Sequence, residues 1–326
     1  MADSVRAAVL AAPGRYELQE FPYPRLEDGA LLMQVEMVGI CGTDKHTYAG
    51  ETKQYAGTPA ETDTPFPIIQ GHENVGVVAE ITPTAAERIE FYGRRLAVGD
   101  RITMCPDVVC GRCYECTHVL GYVWCENSEY ALEGFNSGDT VVVIGTGPLG
   151  LLHVAKADMM GAGQIIATDL SEHRLAWARR CGAEHVLNAS TTTAEERVAR
   201  VRELTGGRGA DVVLHMANTP KSFVEGIEML KRGGMMLEMG NFADTGEISL
   251  NVHRHVCSKN IRLVGLTNHP STGYGPALRL LERYADRYPF AEMVTHEFGL
   301  HQADEALHTS MDPRSTKVAI VPGLTT

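Results

Sequence analysis

Four closely spaced cysteines are the strongest chemical signal in this 326-residue sequence. Clustered thiols in a chain without other signs of a disulfide framework are typical of metal ligands. Two consecutive C-x-x-C steps and a nearby fourth cysteine suit a closed, tetrahedral zinc site of the structural kind. A patch of free or redox-active thiols is the alternative, and Cys105 is a spare ligand. We predict a zinc lobe over about residues 105–125, with the ligands Cys110, Cys113, Cys116 and Cys125.

A second set of metal ligands is spread over two short segments. Cys41 lies in one segment and His72 in the other, each beside a carboxylate, Asp44 or Glu73. A catalytic zinc takes three protein ligands and keeps one position open. Taken alone, Cys41 fits a buried small hydrophobe and His72 a core histidine. The neighbouring carboxylates favour ligands, because such groups orient a metal-binding side chain through hydrogen bonds.

A glycine-rich turn follows the four β-forming residues Val141–Ile144. In a G-x-G-x-x-G sequence the first glycine allows a tight turn, the second lets backbone approach a pyrophosphate, and the third lets helix pack on strand. The helix that follows presents unpaired N–H groups to phosphates. A strand–helix turn without a ligand is the alternative. The predicted dinucleotide-binding residues are Gly145, Thr146, Gly147, Pro148, Leu149 and Gly150.

Asp169 ends the second predicted strand of the same region. An acidic side chain there accepts hydrogen bonds from both ribose hydroxyls of an adenosine and repels a 2′-phosphate. This favours NAD over NADP. Arg174 is a further candidate for cofactor binding and could instead face a phosphate.

The elements that must position these residues change in character at Gly138. Residues 1–135 are rich in β-formers, Gly and Pro, which predicts a barrel-like or sandwich-like β domain. After Gly138, strands alternate with helices, and six strands in two βαβαβ halves predict an α/β Rossmann fold with a doubly wound parallel sheet. The predicted strands are 141–144, 165–168, around 186, 211–214, 235–238 and 261–264, and the predicted helices are 149–160, 171–180, 194–204, 222–230, 277–288 and 303–309, before a last strand at 317–321.

Composition narrows the function class. The formal net charge is −12, which argues against nucleic acid or an anionic membrane surface as a partner. The sequence has no apolar run of spanning length and no leader pattern, so we expect a cytoplasmic protein.

These motifs resemble the zinc-dependent alcohol and polyol dehydrogenases of the medium-chain dehydrogenase/reductase superfamily. The matching segments follow the family's order and cover most of the chain. They are GICGTDKH (39–46), GHENVGVV (71–78), VGDRI (98–102), CGRCYEC (110–116), GDTVVVIGTGPLG (138–150) and TGGRGADVV (205–213).

The resemblance implies a GroES-like catalytic domain over 1–137, a Rossmann NAD-binding domain over 138–274, and a return to the catalytic domain over 275–326. It implies that Cys41 and His72 bind a catalytic zinc ion and that Glu73 is a supporting or transient ligand. Thr43 and His46 would relay a proton from a bound alcohol. The implied reaction is hydride transfer between a secondary alcohol (a polyol, sugar alcohol or cyclitol) or its ketone and NAD, in a homodimer or homotetramer.

One stretch departs from the family. Only twelve residues, ENSEYALEGFNS, join Cys125 to Gly138, where the family has a longer segment that carries the third ligand of the catalytic zinc. A numbering that runs across an omitted segment, a naturally shortened protein and an engineered deletion all stay open, and we favour the first or the third. Carboxylates at Glu126, Glu129 or Glu133 are possible replacements.

Other functions are weighed against this one. A nucleotide-binding homologue that has lost the catalytic zinc is the main alternative, and a zinc-free quinone or enoyl reductase is disfavoured by the cysteine lobe. His253, His255 and Cys257 are interpreted as surface or interface residues rather than a third metal site. Lys317 falls where the family often has a basic residue near the cofactor phosphates.

Overall fold

The computed structural model divides the chain into two compact units. One consists of residues 1–108 and 294–326, and the other of residues 109–293. The predicted structural zinc ligands Cys110, Cys113, Cys116 and Cys125, and the glutamates of the short connection, lie outside the described residues. The structure describes residues 4–51, 53–54, 62–91, 93–104, 137–266 and 273–325.

The first unit is built around a five-stranded sheet with the strand order β16–β17–β3–β6–β9. Two-stranded pairs β1–β2, β4–β5 and β7–β8 accompany it. Its elements are β1 (Ser4–Ala12), β2 (Arg15–Pro22), β3 (Leu31–Gly39), α1 (Gly42–Tyr48), β4 (Lys53–Gln54), β5 (Thr62–Asp63), β6 (Glu73–Ile81), α2 (Pro83–Arg88), β7 (Glu90–Phe91), β8 (Arg94–Arg95), β9 (Arg101–Thr103), β16 (Val294–Phe298), a 3₁₀ turn (Leu300–Gln302), α8 (Ala303–Met311) and β17 (Lys317–Ile320).

The register of β3 and β6 brings two distant segments together. The strands run antiparallel, and Gly39 at the end of β3 is paired with Glu73 at the start of β6. The chain therefore leaves β3 and enters β6 at the same edge of the sheet, which places Cys41 near His72. A small cluster of Leu10, Tyr48 and Leu307 packs α1 against the rest of the unit.

The second unit is a parallel sheet of six strands in the order β12–β11–β10–β13–β14–β15. This order confirms the predicted Rossmann fold, because two βαβαβ halves that start from the centre produce it. Its elements are β10 (Thr140–Ile144), α3 (Pro148–Met159), β11 (Gln164–Asp169), α4 (Glu172–Arg180), β12 (His185–Asn188), α5 (Ala194–Leu204), β13 (Ala210–His215), α6 (Pro220–Met229), β14 (Leu230–Glu238), a π-helix (His253–Cys257), β15 (Arg262–Gly265), α7 (Tyr274–Arg283) and a 3₁₀ turn (Phe290–Met293).

Apolar layers cover both faces of the parallel sheet. Alternate residues of β10 point to opposite faces, so that Val141 and Val143 join one layer and Val142 and Ile144 join the other. Burial on both faces explains why the central strands are continuous runs of Val, Ile and Leu rather than alternating patterns.

Several predicted boundaries differ from the structure. The stretch from α7 to Met293 belongs to the second unit, so the chain returns to the first unit at residue 294 rather than 275. Tyr288 and Met293 pack into the core of the second unit, which is the physical reason. Strand β16 was not predicted, and α7 spans Tyr274–Arg283 rather than 277–288.

The prediction that His253, His255 and Cys257 are surface or interface residues is wrong for His255. Its side chain is buried, and its Nε2 atom lies 2.9 Å from Glu228 Oε1. Cys257 is exposed, as predicted. Among the described helices, none is both long and apolar enough to cross a membrane.

Candidate functional site

Cys41 and His72 lie in direct contact at the edge of the first unit's sheet. The Cys41 Sγ atom is 3.0 Å from His72 Nε2. Cys41 is the N-cap residue of α1, and His72 immediately precedes β6, so both backbone positions are fixed by regular elements. The thirty residues between them in the sequence are bridged by the β3–β6 register.

Asp44 holds both of these residues from behind. Its Oδ2 atom accepts a hydrogen bond from the Cys41 backbone N–H at 2.9 Å, and its Oδ1 atom lies 3.7 Å from His72 Nδ1. The Asp44 side chain is only 7% exposed. Ligand atoms of Cys41, Asp44 and His72 all lie within 4.8 Å of one another, and within the described ranges this is the group of donors that converges.

Electrostatics in this group favour a protonated His72, which would give up a proton when a metal ion binds. The hydrogen bond with Cys41 raises the pKa of His72 to about 9, against the effect of burial, and the carboxylates of Asp44 and Glu73 act in the same direction. Burial raises the pKa of Asp44, although the Cys41 N–H and His72 stabilise its carboxylate.

Glu73, predicted as a supporting ligand, makes a different contact. Its carboxylate forms an ion pair with Lys317, whose Nζ atom also donates to the Ile40 carbonyl oxygen at 3.0 Å. Lys317 thus ties β17 to the loop that carries Cys41. A ligand role for Glu73 stays a prediction.

His46 and Thr43 lie on α1 beside Cys41. The His46 Nδ1 atom contacts the carboxylate of Glu51, which is 57% exposed, so this imidazole is connected to the protein surface. The Thr43 carbonyl oxygen accepts a hydrogen bond from Thr47 Oγ1 at 3.0 Å, which holds the helix backbone at this position.

The donor set of Cys41, His72 and Asp44 fits zinc. Thiolate, imidazole and carboxylate are the three zinc ligand types that proteins use. His72 presents Nε2 towards Cys41 and Nδ1 towards Asp44 at 3.7 Å, and carboxylates on the far side of a metal-binding histidine are the usual groups that orient it. Cys41 and His72 are therefore suited to bind the ion, with Asp44 orienting them.

The glycine turn of the second unit has the predicted geometry. Gly145 has a φ of +88°, and a Cβ there would lie 2.9 Å from the Ala217 backbone nitrogen. A Cβ on Gly150 would lie 1.9 Å from the Gly145 carbonyl oxygen, so any side chain would force the helix away from the turn. Gly147 faces open space and is the N-cap of α3, with no side-chain cap on the helix N–H groups.

Asp169 anchors this turn. Its Oδ2 atom accepts a hydrogen bond from the Thr146 N–H at 2.7 Å, and its Oδ1 atom accepts one from the Ser171 N–H at 2.9 Å. Each carboxylate oxygen has a second lone pair available for a further donor.

Two buried polar atoms at the turn have no hydrogen-bond partner in the described part of the chain. They are Thr146 Oγ1 in the turn itself and Arg174 Nε on α4, the helix that follows Asp169. Because buried polar groups are normally paired, such orphans point to a ligand that supplies the missing partners. The turn, the uncapped helix and these atoms fit a dinucleotide.

A buried polar network was missed by the sequence analysis. His215 ends β13 and is fully buried, with Nδ1 2.6 Å from Glu238 Oε2 at the end of β14 and Nε2 2.7 Å from Ser222 Oγ. Glu238 Oε1 accepts hydrogen bonds from the N–H groups of Gly240 and Asn241 at 2.9 and 2.8 Å. The signal was present, since each strand is an apolar run that ends in a titratable residue, His215 or Glu238.

Two family descriptions match the sequence. "Zinc-binding dehydrogenase" matches residues 148–283, and "Alcohol dehydrogenase GroES-like domain" matches residues 27–164. Together they extend from residue 27 to residue 283.

Curated relatives align along nearly the whole chain. The 5-exo-hydroxycamphor dehydrogenase of Pseudomonas putida is 30% identical over 352 aligned positions, which cover 93% of this chain and 94% of that protein. The erythritol/L-threitol dehydrogenase of Mycolicibacterium smegmatis is 28% identical and covers 98% of both chains. The first alignment is longer than the 326 residues of this chain, so that relative contains segments that this chain lacks.

A solved structure confirms the fold. An alcohol dehydrogenase from Thermotoga maritima superposes with a TM-score of 0.85 at 25% identity, and the match covers 97% of this chain and 98% of the other.

Proposed function

The chain belongs to the zinc-dependent alcohol dehydrogenases of the medium-chain dehydrogenase/reductase superfamily, and from this premise we propose that it oxidises a secondary alcohol to a ketone with NAD, or catalyses the reverse reduction. The proposed substrates are polyols, sugar alcohols or cyclitols. The observation that carries the proposal is the 3.0 Å contact between Cys41 Sγ and His72 Nε2, with Asp44 behind both.

The protein's own contribution at this site is positioning. A zinc ion held by Cys41 and His72 supplies Lewis acidity, which lowers the pKa of an alcohol and polarises a carbonyl. Asp44 holds the Cys41 backbone through a hydrogen bond from its N–H, and it places a negative charge 3.7 Å from His72 Nδ1. A displaced Cys41 or His72 would reduce turnover, because the reaction requires the metal ligands and the bound substrate to be positioned before hydride transfer.

Proton transfer is assigned to Thr43 and His46. The Thr43 hydroxyl accepts the proton of the alcohol and passes it on, and His46 delivers it to the surface. The contact between His46 Nδ1 and the exposed carboxylate of Glu51 supports this exit path.

NAD is the proposed cofactor on the basis of Asp169. Its carboxylate lies at the carboxyl end of β11, where the adenosine ribose of a dinucleotide binds in Rossmann folds. A second negative charge from a 2′-phosphate would be repelled there, which disfavours NADP.

The polar substrate class is proposed from the relatives. One of them is named for the four-carbon polyols erythritol and L-threitol, and another for a hydroxylated camphor. Both names describe the oxidation of an alcohol, and the first favours a substrate with several hydroxyl groups.

The test combines metal analysis with activity. We expect the full chain to contain about two zinc ions, one for each site, and to form NADH from members of a polyol panel. Cys41→Ser should reduce the zinc content by about one and abolish turnover, while NADH binding measured by fluorescence stays nearly unchanged. Cys257→Ser is the matched control, because this thiol is exposed and free.

Two results would overturn the proposal. One is full turnover in Cys41→Ser. The other is a wild-type protein that binds NADH, holds zinc only at the cysteine lobe, and oxidises no alcohol. That result would favour the nucleotide-binding homologue that lacks catalysis.

A further inference from the structure

A basic pocket lies on the surface of the second unit. It has a volume of about 470 Å³, within the range of small-molecule sites. Leu230 and Gly207 also line it, and the chain as a whole carries a net charge of −12. The five cationic residues that line it are Arg202, Arg208, Lys231, Arg232 and Lys259.

This basic pocket is at the opposite edge of the parallel sheet from the glycine turn. Arg208 precedes β13, Lys231 and Arg232 lie at the start of β14, and Lys259 precedes β15. The glycine turn follows the carboxyl end of β10. The two sites are therefore separated by the length of the strands and do not share residues.

Backbone carbonyl oxygens hold two of the cations in the pocket. Lys259 Nζ donates to the carbonyl oxygens of Ile227 at 2.6 Å and Glu228 at 3.2 Å. Arg202 Nη2 donates to the same Glu228 carbonyl at 3.4 Å. Carbonyl oxygens orient a cation but leave its net charge in place.

Carboxylates neutralise only part of the charge. Asp211 forms an ion pair with Lys231. The Glu228 carboxylate is 3.9 Å from Arg202, and it also contacts Arg254 at 3.3 Å and His255 at 2.9 Å. The single negative charge of Glu228 is thus shared among Arg202, Arg254 and His255, and it does not neutralise Arg202 fully.

Arg208 and Arg232 are available for a ligand. Both are exposed. The charge of Arg208 acts on the Asp211 carboxylate, which is already paired with Lys231. A guanidinium group matches a phosphate with two parallel hydrogen bonds, so two of them at one pocket favour a phosphate over a carboxylate or halide.

Mutual repulsion in the pocket is visible at Lys259. Burial lowers the pKa of this ammonium group, Glu228 opposes the shift, and the positive charge of Arg202 adds to it. A bound anion would relieve both the repulsion and the cost of burying the charge.

We propose that this basic pocket binds a small, multiply charged phosphate anion, such as the polyphosphate chain of a nucleotide or a free inorganic polyphosphate. The volume of the pocket suits a compact ligand, and its opening to solvent suits a charged one. A long polyanion such as RNA is disfavoured, because the chain as a whole carries a net charge of −12 and would repel the part of the polyanion that extends beyond the pocket.

Calorimetric titration of the full, zinc-containing chain with inorganic tripolyphosphate tests this. NAD is kept saturating to occupy the glycine turn, and the ionic strength is low because screening weakens such contacts. We expect one anion per chain, and at least tenfold weaker binding in the double variant Arg208→Glu/Arg232→Glu. Addition of salt to about 0.5 M should also weaken binding to the wild type.

The control variant carries the same change in net charge elsewhere. Arg25 and Arg95 are exposed residues of the first unit, and Arg25→Glu/Arg95→Glu should bind as the wild type does. Circular dichroism checks that both double variants are folded. The milder Arg232→Gln should weaken binding severalfold and covers the case in which the charge reversal unfolds the protein.

Three outcomes would overturn the proposal: no binding of tripolyphosphate to the wild type, equal weakening in the two double variants, or tighter binding of a short RNA than of tripolyphosphate at the same residues. ATP and tripolyphosphate titrations then distinguish the sources, because a nucleotide-specific pocket binds ATP more tightly. Alcohol oxidation does not enter these measurements, so they are independent of the proposed function.

Discussion

Asp169 performs two tasks with one carboxylate. Its carboxylate accepts hydrogen bonds from the backbone N–H groups of Thr146 and Ser171. These two bonds fix the glycine turn against the start of α4. In the proposed function the same carboxylate also faces the ribose of NAD. Removal of this side chain should therefore affect both affinity and cofactor preference.

We expect Asp169→Ser to weaken NAD binding by about tenfold or more and to reduce the preference for NAD over NADP. The magnitude follows from the loss of charge-assisted hydrogen bonds, each worth about 1.5–3 kcal/mol. Asp286→Ser, at an exposed residue of the same unit, is the control. Dissociation constants for NADH and NADPH provide the measurement, and an unchanged ratio would refute the assignment of Asp169.

At the level of single residues, the sequence predicted the donors better than their partners. Cys41 and His72 were identified through the family resemblance, and the structure places them 3.0 Å apart. Asp44 and Glu73 were both predicted to orient these donors, and in the structure Asp44 contacts both of them while Glu73 pairs with Lys317. Glu73 follows His72 directly and Asp44 follows Cys41 by three residues, so the sequence offers two carboxylates, and only the folded start of α1 turns Asp44 inward.

Helices α5 and α6 are joined by a buried ion pair. Arg197 Nε and Nη2 donate to the two carboxylate oxygens of Glu225 at 2.6 and 2.7 Å, and each side chain is 9% exposed. Arg197 Nη1 also donates to the carbonyl oxygen of Thr192, just before α5. This pair therefore sets the position of one helix relative to the other and to the preceding loop.

Arg197→Met should destabilise the second unit by about 3–5 kcal/mol, because it leaves the Glu225 carboxylate buried without a partner. Arg197→Met/Glu225→Leu should recover much of the loss, since an apolar pair removes the buried charge. Arg200→Met breaks the exposed pair with Glu203 on the same helix and should cost less than about 1 kcal/mol. Denaturant unfolding measures all three, and equal losses for Arg197→Met and Arg200→Met would contradict the argument.

The helices and strands of the second unit were predicted well because capping side chains and glycines mark their ends. Ser171 caps α4 and Thr193 caps α5 through side-chain hydrogen bonds, and Gly161 follows α3 with a positive φ. Strand β14 begins at Leu230 rather than Met235, since Lys231 and Arg232 interrupt the apolar pattern without ending the strand. Strand β16 has no fully buried residue, so no apolar pattern marked it.

The acid stability of the whole molecule depends on carboxylates whose pKa values are lowered. Burial opposes ionisation of Glu238, yet the hydrogen bond and charge of His215 and the Asn241 N–H hold its pKa below the ordinary value. Ion pairing with Lys231 and the Thr140 N–H lower the pKa of Asp211 against burial. Groups with a lowered folded-state pKa stabilise the protein above their unfolded pKa and lose this effect as pH falls through the folded value.

Glu238→Gln should therefore flatten the loss of stability on acidification. An unfolded glutamate titrates near pH 4.3, so the wild type should lose free energy of unfolding below about pH 5, and the variant should lose less over the same range. Glu247→Gln, at an exposed glutamate, is the control. Denaturant midpoints at pH 6, 5, 4 and 3.5 provide the comparison, and parallel profiles for wild type and Glu238→Gln would count against a stabilising His215–Glu238 pair.

The division of the first unit between the two ends of the chain determines the order in which the protein can be completed during synthesis. Residues 109–293 are contiguous, so the parallel sheet has all its strands once Met293 has left the ribosome. Strand β3 carries the segment that leads to Cys41, and it pairs with β17, which is translated about 280 residues later. Until then one edge of the metal-binding sheet is open, and Ile40 lacks the hydrogen bonds that Val318 and Lys317 provide. A nascent chain that already holds its nucleotide domain would therefore still lack a finished metal site.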